Sequence, residues 1–285
     1  MPFTTLISVE QLRERMAEPD LVVLDARFTL DDESWGTRAF VEGHIPGAQR
    51  ADLAEDMAGE IIPGVTGRRP FPDAVDFIER VRGWGVGDDT QVVVYDADGG
   101  LMAASRLWVM LRWVGHDSVA VLDGGWGKWL REERPETSAV PTPAPSRFDA
   151  TVREASVDAA YVLAHLRDPS IVVVDARGAE RYRGETEPLD PVAGHIPGSI
   201  NRPIQGNLAE GGVFKSAEAL RAQWTPLLGA VTPSSVVHSC GSGVAACHNL
   251  LAMEIAGLAG SRLYAGSWSE WCADPARPVA TGPNP

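Results

Sequence analysis

Short apolar runs rich in β-branched residues recur along the chain, at 21–24, 92–94, 119–122, 172–174 and 236–237. Continuous runs of this length, as opposed to alternating ones, predict strands buried on both faces. Between them lie segments with helical spacing. Ser8 to Met16 opens with Ser8 and Gln11 in a capping-box relation, and Asp73 to Arg82 follows a 3.6-residue period. Ala103 to Trp113 is apolar nearly all round, and Ala245 to Ala259 is rich in good helix formers. Strands alternating with helices predict an α/β fold, a parallel sheet covered by helices on both faces.

The pattern occurs twice. Val172-Val173-Val174-Asp175-Ala176-Arg177 repeats Val22-Val23-Leu24-Asp25-Ala26-Arg27, placing Asp175 opposite Asp25. Gly194-His195-Ile196-Pro197-Gly198 repeats Gly43-His44-Ile45-Pro46-Gly47, and Gly266-Ser267-Trp268 repeats Gly124-Gly125-Trp126. Landmarks in one order at nearly one offset indicate two copies of one domain, at a period too long for a solenoid. Between the copies, a run from Pro135 to Pro145 carries prolines and no apolar period, as an extended, semi-rigid linker would. The expected boundaries are a first domain over 1–134, a linker over 135–150 and a second domain over 151–285.

In parallel sheets ligands sit at the carboxyl ends of strands. There, one strand of the second copy runs into Cys240-Gly241-Ser242-Gly243-Val244-Ala245 and then a helix. Gly241 and Gly243 would let the backbone take positive φ, so that successive N–H groups form a nest closed by the helix start. Such a cradle favours a thiolate and stabilises an anion attached to the sulfur. Aligning the copies puts Asp96 opposite Cys240, so the first domain carries no nucleophile and each chain has one site.

The 285 residues carry a net charge of −14, which speaks against nucleic acid or an anionic membrane as partner. Three cysteines are too few for a disulfide framework and lack metal-ligand spacing, so no metal is expected and a reducing, cytoplasmic setting fits. The N-terminus does not read as a signal peptide, and no apolar run approaches membrane-spanning length.

The duplicated landmarks, together with Cys240-Gly241-Ser242-Gly243-Val244, resemble the tandem rhodanese-like sulfurtransferases, which include thiosulfate and 3-mercaptopyruvate sulfurtransferases. The resemblance covers nearly the whole chain. It implies two rhodanese-like domains, the first inactive, and a Cys240 persulfide that carries sulfane sulfur from a small-molecule donor to a thiol or cyanide, a small redox protein being one possible acceptor. It implies no organic cofactor. Cys-Gly-Ser-Gly-Val looks like the mercaptopyruvate branch, whose two donor-binding arginines fall on Arg181 and on Asp190. An acid at 190 would face a donor carboxylate with a repulsion of roughly 2 kcal/mol across about 7 Å at an effective dielectric of about 20, so Asp190→Arg would favour mercaptopyruvate. The family's Asp and His of a serine relay fall near Ala54 and Arg69, which cannot serve in that way.

Other residues keep two readings. Ser242 either bonds donor or sulfur, or fills a tight loop. Arg181 either holds an anionic donor or pairs with a neighbouring glutamate on the surface; Arg183 and Arg69 are further candidates for the donor. His238 points the same way as Cys240 along its strand and is a base or a satisfied core histidine. His44 and His195 read as structural, Cys247 as core, and Cys272, after Trp271, as open to exposure with nothing marking it as reactive. Two other functions compete with sulfur transfer. A non-catalytic sulfur-sensing or binding module would show no turnover. A cysteine-dependent phosphatase would need an arginine at the loop's end, where Ala246 and Cys247 stand.

Overall fold

The computed structural model describes residues 1–284. The chain packs as two units. The first comprises Met1–Gly59, Pro72–Arg153 and Leu208–Phe214; the second comprises Glu60–Phe71, Glu154–Asn207 and the chain from Lys215 on. Each contains one five-stranded, wholly parallel sheet.

The first unit runs β1 (Leu6–Ile7), α1 (Val9–Arg15), β2 (Leu21–Asp25), α2 (Trp35–Glu42), β3 (Gln49–Arg50), α3 (Ala74–Gly83), β4 (Gln91–Tyr95), α4 (Ala103–Trp113), β5 (Val119–Leu122) and α5 (Gly125–Arg131). Its sheet order is β1-β5-β4-β2-β3. Every residue of β4 is buried, the reason its sequence is a continuous apolar run. Val23, Val93, Tyr95, Ala120 and Leu122 face one way, in a core with Val9 and Leu12 of α1, Phe40 of α2 and Trp129 of α5. The opposite face is covered by α4, whose residues 103–111 are all buried. The expected capping box on α1 is present, Ser8 and Gln11 each accepting the other's backbone N–H.

The second unit repeats the order: β6 (Ser156–Val157), α6 (Ala159–Ala164), β7 (Val172–Asp175), α7 (Ala179–Tyr182), β8 (Ile200–Asn201), α8 (Ala217–Leu228), β9 (Val236–Ser239), α9 (Ala246–Ile255), β10 (Arg262–Tyr264) and α10 (Ser267–Trp271). Its sheet order is β6-β10-β9-β7-β8. Asp25 pairs with Tyr95 in the first sheet and Asp175 with Ser239 in the second, so the residues just past β4 and β9 are Asp96 and Cys240.

The proline-rich run 135–150 forms no helix and lies along the first unit. Thr137 exchanges backbone hydrogen bonds with His44, and the buried Phe148 gives its carbonyl to the Arg82 guanidinium. Neither α2 nor α8 is singled out in the sequence, and each carries a helix-disfavouring residue: Gly36 in α2 and Pro226 in the last turn of α8. No helix among the described residues is long and apolar enough to cross a membrane.

Candidate active site

Cys240 is the first residue beyond β9, and its side chain is buried. The loop it opens is pinned by the start of α10. The Cys240 N–H donates to Ser267 Oγ (3.1 Å), and Ser267 Oγ donates to the Tyr264 carbonyl (2.9 Å). In return, the N–H groups of Trp268 and Ser269 donate to the carbonyls of Cys240 (3.0 Å) and Gly241 (2.9 Å). Among the described residues, none of the N–H groups of Gly241, Ser242, Val244 and Ala245 donates to a backbone carbonyl. These are the groups a nest would present to an anion on the sulfur.

The two loop glycines serve different ends. Gly243 has φ +74°, and a Cβ there would lie 2.2 Å from the Ala265 carbonyl oxygen, so only glycine fits. Gly241 is not in the left-handed region, contrary to the sequence expectation. What its bare Cα permits is the approach of two guanidiniums: a Cβ would meet Arg68 Nη2 at 3.1 Å and Arg181 Nη2 and Nη1 at 3.5 and 3.6 Å. Val244 is buried, while Ser242 and Ala245 are partly exposed; the Ser242 hydroxyl makes no hydrogen bond among the described residues.

Arg181 stands in a ladder of alternating charge that continues through Asp190 to Arg68. Asp175 holds Arg177 (2.7 Å), Arg177 reaches Glu187 (3.3 Å), and Glu187 takes Nε (3.1 Å) and Nη2 (2.6 Å) of Arg181. Arg181 is therefore paired with a glutamate, but one that is only 3% exposed and not on the surface, and its guanidinium lies beside the cysteine loop. Arg177 also lies over the Trp268 ring at 4.8 Å, as Arg27 lies over Trp126 at 4.7 Å in the first unit. The conserved geometry of the two Asp-Ala-Arg turns is thus a scaffold feature.

The other arginines separate. Arg183 is turned to Glu185 (2.7 Å) on the surface; it shares with Arg181 an open depression that Cys240 does not line. Arg69 gives one guanidinium nitrogen to the Arg68 carbonyl (3.4 Å). Arg68 itself, passed over in the sequence, stands beside Gly241 with its guanidinium bonded to Asp190. Burial, followed by the neighbouring charge of Arg181, pushes Arg68 down from its ordinary range. The signal for it in the sequence was only the doublet Arg68-Arg69.

Asp190 departs from expectation. Its side chain is 3% exposed and is bound by Arg68 and by Arg181 (3.5 Å). The repulsion expected from an unpaired acid does not apply to a carboxylate held between two guanidiniums.

His238 is a core histidine. Its Nε2 meets Ser261 Oγ at 3.1 Å, its ring packs edge-on against Trp224, and burial pushes its pKa down to about 3. His44 and His195 each bond a backbone carbonyl through Nδ1 at 2.7 Å and belong to the scaffold. Cys247 is buried in α9 with Sγ on the Gly243 carbonyl (3.3 Å). Cys272 is not exposed: it is buried in the core of the second unit, which pushes its thiol up.

The first unit supplies the comparison. Trp126 and Gly127 donate to the carbonyls of Asp96 (2.8 Å) and Ala97 (3.1 Å), as Trp268 and Ser269 do to Cys240 and Gly241. The buried Asp96 carboxylate accepts the N–H groups of Asp98, Gly100, Met102 and Ala104 at 2.8–3.4 Å. Where the second unit has a thiol, the first fills its own loop with an anion.

The family model described as "Rhodanese-like domain" matches residues 8–132 and 158–274. The chain is 45% identical over 287 residues to a probable 3-mercaptopyruvate sulfurtransferase of Pseudomonas aeruginosa, covering 99% of this chain and 100% of that one. It is 36% identical to the thiosulfate sulfurtransferase of Bos taurus, with 92% and 88% covered. The crystal structure of SseA from Escherichia coli, titled for the rhodanese fold of 3-mercaptopyruvate sulfotransferases, superposes with a TM-score of 0.79 at 30% identity, covering 94% of this chain and all of that one. With the domain matched in both halves and relatives aligned along nearly the full length, the chain belongs to the tandem rhodanese-like sulfurtransferases.

Proposed function

We propose that the protein moves a sulfane sulfur from thiosulfate or 3-mercaptopyruvate to a thiol or cyanide through a persulfide on Cys240. The observation that carries this reading is the placement of Cys240: a buried thiol at a strand end, in a loop where the N–H groups of Gly241, Ser242, Val244 and Ala245 donate to no backbone carbonyl among the described residues, with guanidiniums beside the next residue.

The Cys240 thiolate attacks the donor's outer sulfur. With thiosulfate, the S–S bond breaks and sulfite leaves with the electron pair. With mercaptopyruvate, the C–S bond breaks, and the enolate that leaves takes a proton to give pyruvate. In either case Cys240 is left as a persulfide. The acceptor thiolate or cyanide then attacks the terminal sulfur and releases the Cys240 thiolate, completing a double displacement. The loop, Gly241 to Ala245, stabilises the charge on sulfur in both halves, and Arg181 binds the anionic end of the donor. Ser242, partly exposed beside the cysteine, is available to the donor or the persulfide. No metal or organic cofactor enters the scheme, and the low cysteine count supports a reducing, cytoplasmic setting.

Steady-state assays with each donor and cyanide test the reading. Parallel double-reciprocal lines are expected with wild type, and no turnover with Cys240→Ser. Turnover by Cys240→Ser, or intersecting lines, would contradict the two-step scheme.

A further inference from the structure

We propose that Arg68 is the second donor-binding guanidinium of this site and that Asp190 is the residue that positions it; the proposal rests on the sulfur-transfer reading above. Arg68 and Arg181 lie against the same bare Cα of Gly241, one residue from the cysteine. Each is anchored along one edge by a carboxylate that is itself only 3% exposed: Arg68 through Nη1 on Asp190, Arg181 through Nε and Nη2 on Glu187. Arg68 Nη2 and Arg181 Nη1 make no hydrogen bond among the described residues, and both lie within 3.6 Å of the position a Gly241 Cβ would take. Both side chains remain reachable, at 33% and 21% exposure. Two guanidiniums fixed on their far edges and open on their near ones match a small anion with several oxygens, the sulfonate end of thiosulfate or the carboxylate of mercaptopyruvate.

Arg68 is also placed by its own backbone. Its N–H donates to Ser269 Oγ (3.0 Å), and Gly67 packs so closely on the Gly266 carbonyl that a Cβ would lie 2.4 Å from the oxygen. The segment carrying Arg68 is therefore pinned to α10, the helix that pins the Cys240 loop. Two arginines and two carboxylates sum to no net charge, so the clamp works by directed hydrogen bonds. Asp190 then aids anion binding by holding Arg68 in place; its 3.5 Å contact to Arg181 Nη2 adds little to a guanidinium that Glu187 already holds at 2.6 and 3.1 Å.

The test separates binding from transfer. In a Cys240→Ser background, where no sulfur moves, thiosulfate is titrated calorimetrically into R68Q, R68K, D190N, D190E and the R68Q/D190N pair. R68Q is expected to weaken binding about tenfold, the loss of one charge-assisted hydrogen bond, and D190N about threefold. The pair should bind no more weakly than R68Q alone, because Asp190 acts through Arg68, and D190E should recover most of the D190N loss. Should R68Q melt early, R68K keeps the charge and is expected to fall between wild type and R68Q. Unchanged affinity in R68Q or R68K, tighter binding in D190N, independent losses in the pair, or no thiosulfate binding by the Cys240→Ser protein would each overturn the proposal. Donor binding without sulfur loading of wild-type Cys240 would instead overturn the sulfur-transfer reading and leave the clamp standing.

Discussion

At the scale of single residues, the two copies place different side chains at matching loops, a carboxyl in the first and a thiol in the second. Asp96 already satisfies four backbone N–H groups, whereas Cys240 leaves its loop to what the sulfur carries. Burial pushes the Asp96 carboxyl up, and the N–H groups of Gly100, Met102, Ala104 and Asp98 oppose that shift. Asp96→Ala would strand those donors and should lower unfolding stability by about 2–4 kcal/mol in denaturant titrations, with kcat/KM near wild type below the melt. An unchanged midpoint would mean that water replaces the carboxylate at no cost. His238 gives a pH dependence. Its folded pKa of about 3 lies below the ordinary 6.5, so the unfolded chain binds the proton first. Its contribution is fully present above pH 6.5 and is lost as pH falls toward 3, with a slope of at most about 1.4 kcal/mol per pH unit. His238→Asn should flatten the fall in stability between pH 6.5 and 5, a window above most carboxylate titrations; an unchanged slope there would assign the effect elsewhere.

At the scale of elements, the cysteine loop is held by α10 as much as by the strand and helix that flank it. Ser267 takes the Cys240 N–H while Trp268 and Ser269 close on the loop's carbonyls, so Gly-Ser-Trp near the chain's end is part of the site's frame. Gly243→Ala adds a methyl 2.2 Å from the Ala265 carbonyl at a left-handed φ, which the loop can relieve only by moving. We expect kcat/KM to fall by about a hundredfold, as misplacement of a reacting group by about 1 Å does, and stability to fall by about 1–3 kcal/mol from the backbone strain. Full activity in Gly243→Ala would show that the loop's shape is not required. Strands β1, β3, β6, β8 and β10, two or three residues long, are too short to write a continuous apolar run. Strands β2, β4, β5, β7 and β9, the loop and α9 were legible because burial on both faces writes such runs and a tight turn demands glycine. Arg68 was not. Its position depends on Gly67 against Gly266 and on Asp190, contacts between residues far apart in the chain that no local pattern encodes. Asp190 misled for the same reason: a carboxylate judged alone repels an anion, and one buried between two guanidiniums organises them.

At the scale of the whole molecule, the duplication and the single cysteine loop define the account. Both halves match the same domain family, yet the residue after the third strand in sheet order is Asp96 in one and Cys240 in the other. A net charge of −14 repels anionic donors at long range, so affinity must come from short-range hydrogen bonds near Cys240. The repeat made the domain plan readable from the sequence, since two imperfect copies act as an alignment of the chain with itself, and the packing of Glu60–Phe71 with the second unit lay outside that alignment. The central claim is that sulfur resides covalently on Cys240 between donor and acceptor. Intact-mass spectrometry after incubation with thiosulfate alone tests it most directly. Wild type, Cys247→Ser and Cys272→Ser should each gain the mass of one sulfur atom and lose it on addition of cyanide, while Cys240→Ser gains none. Turnover without any sulfur-loaded species, or loading that survives in Cys240→Ser, would contradict the account.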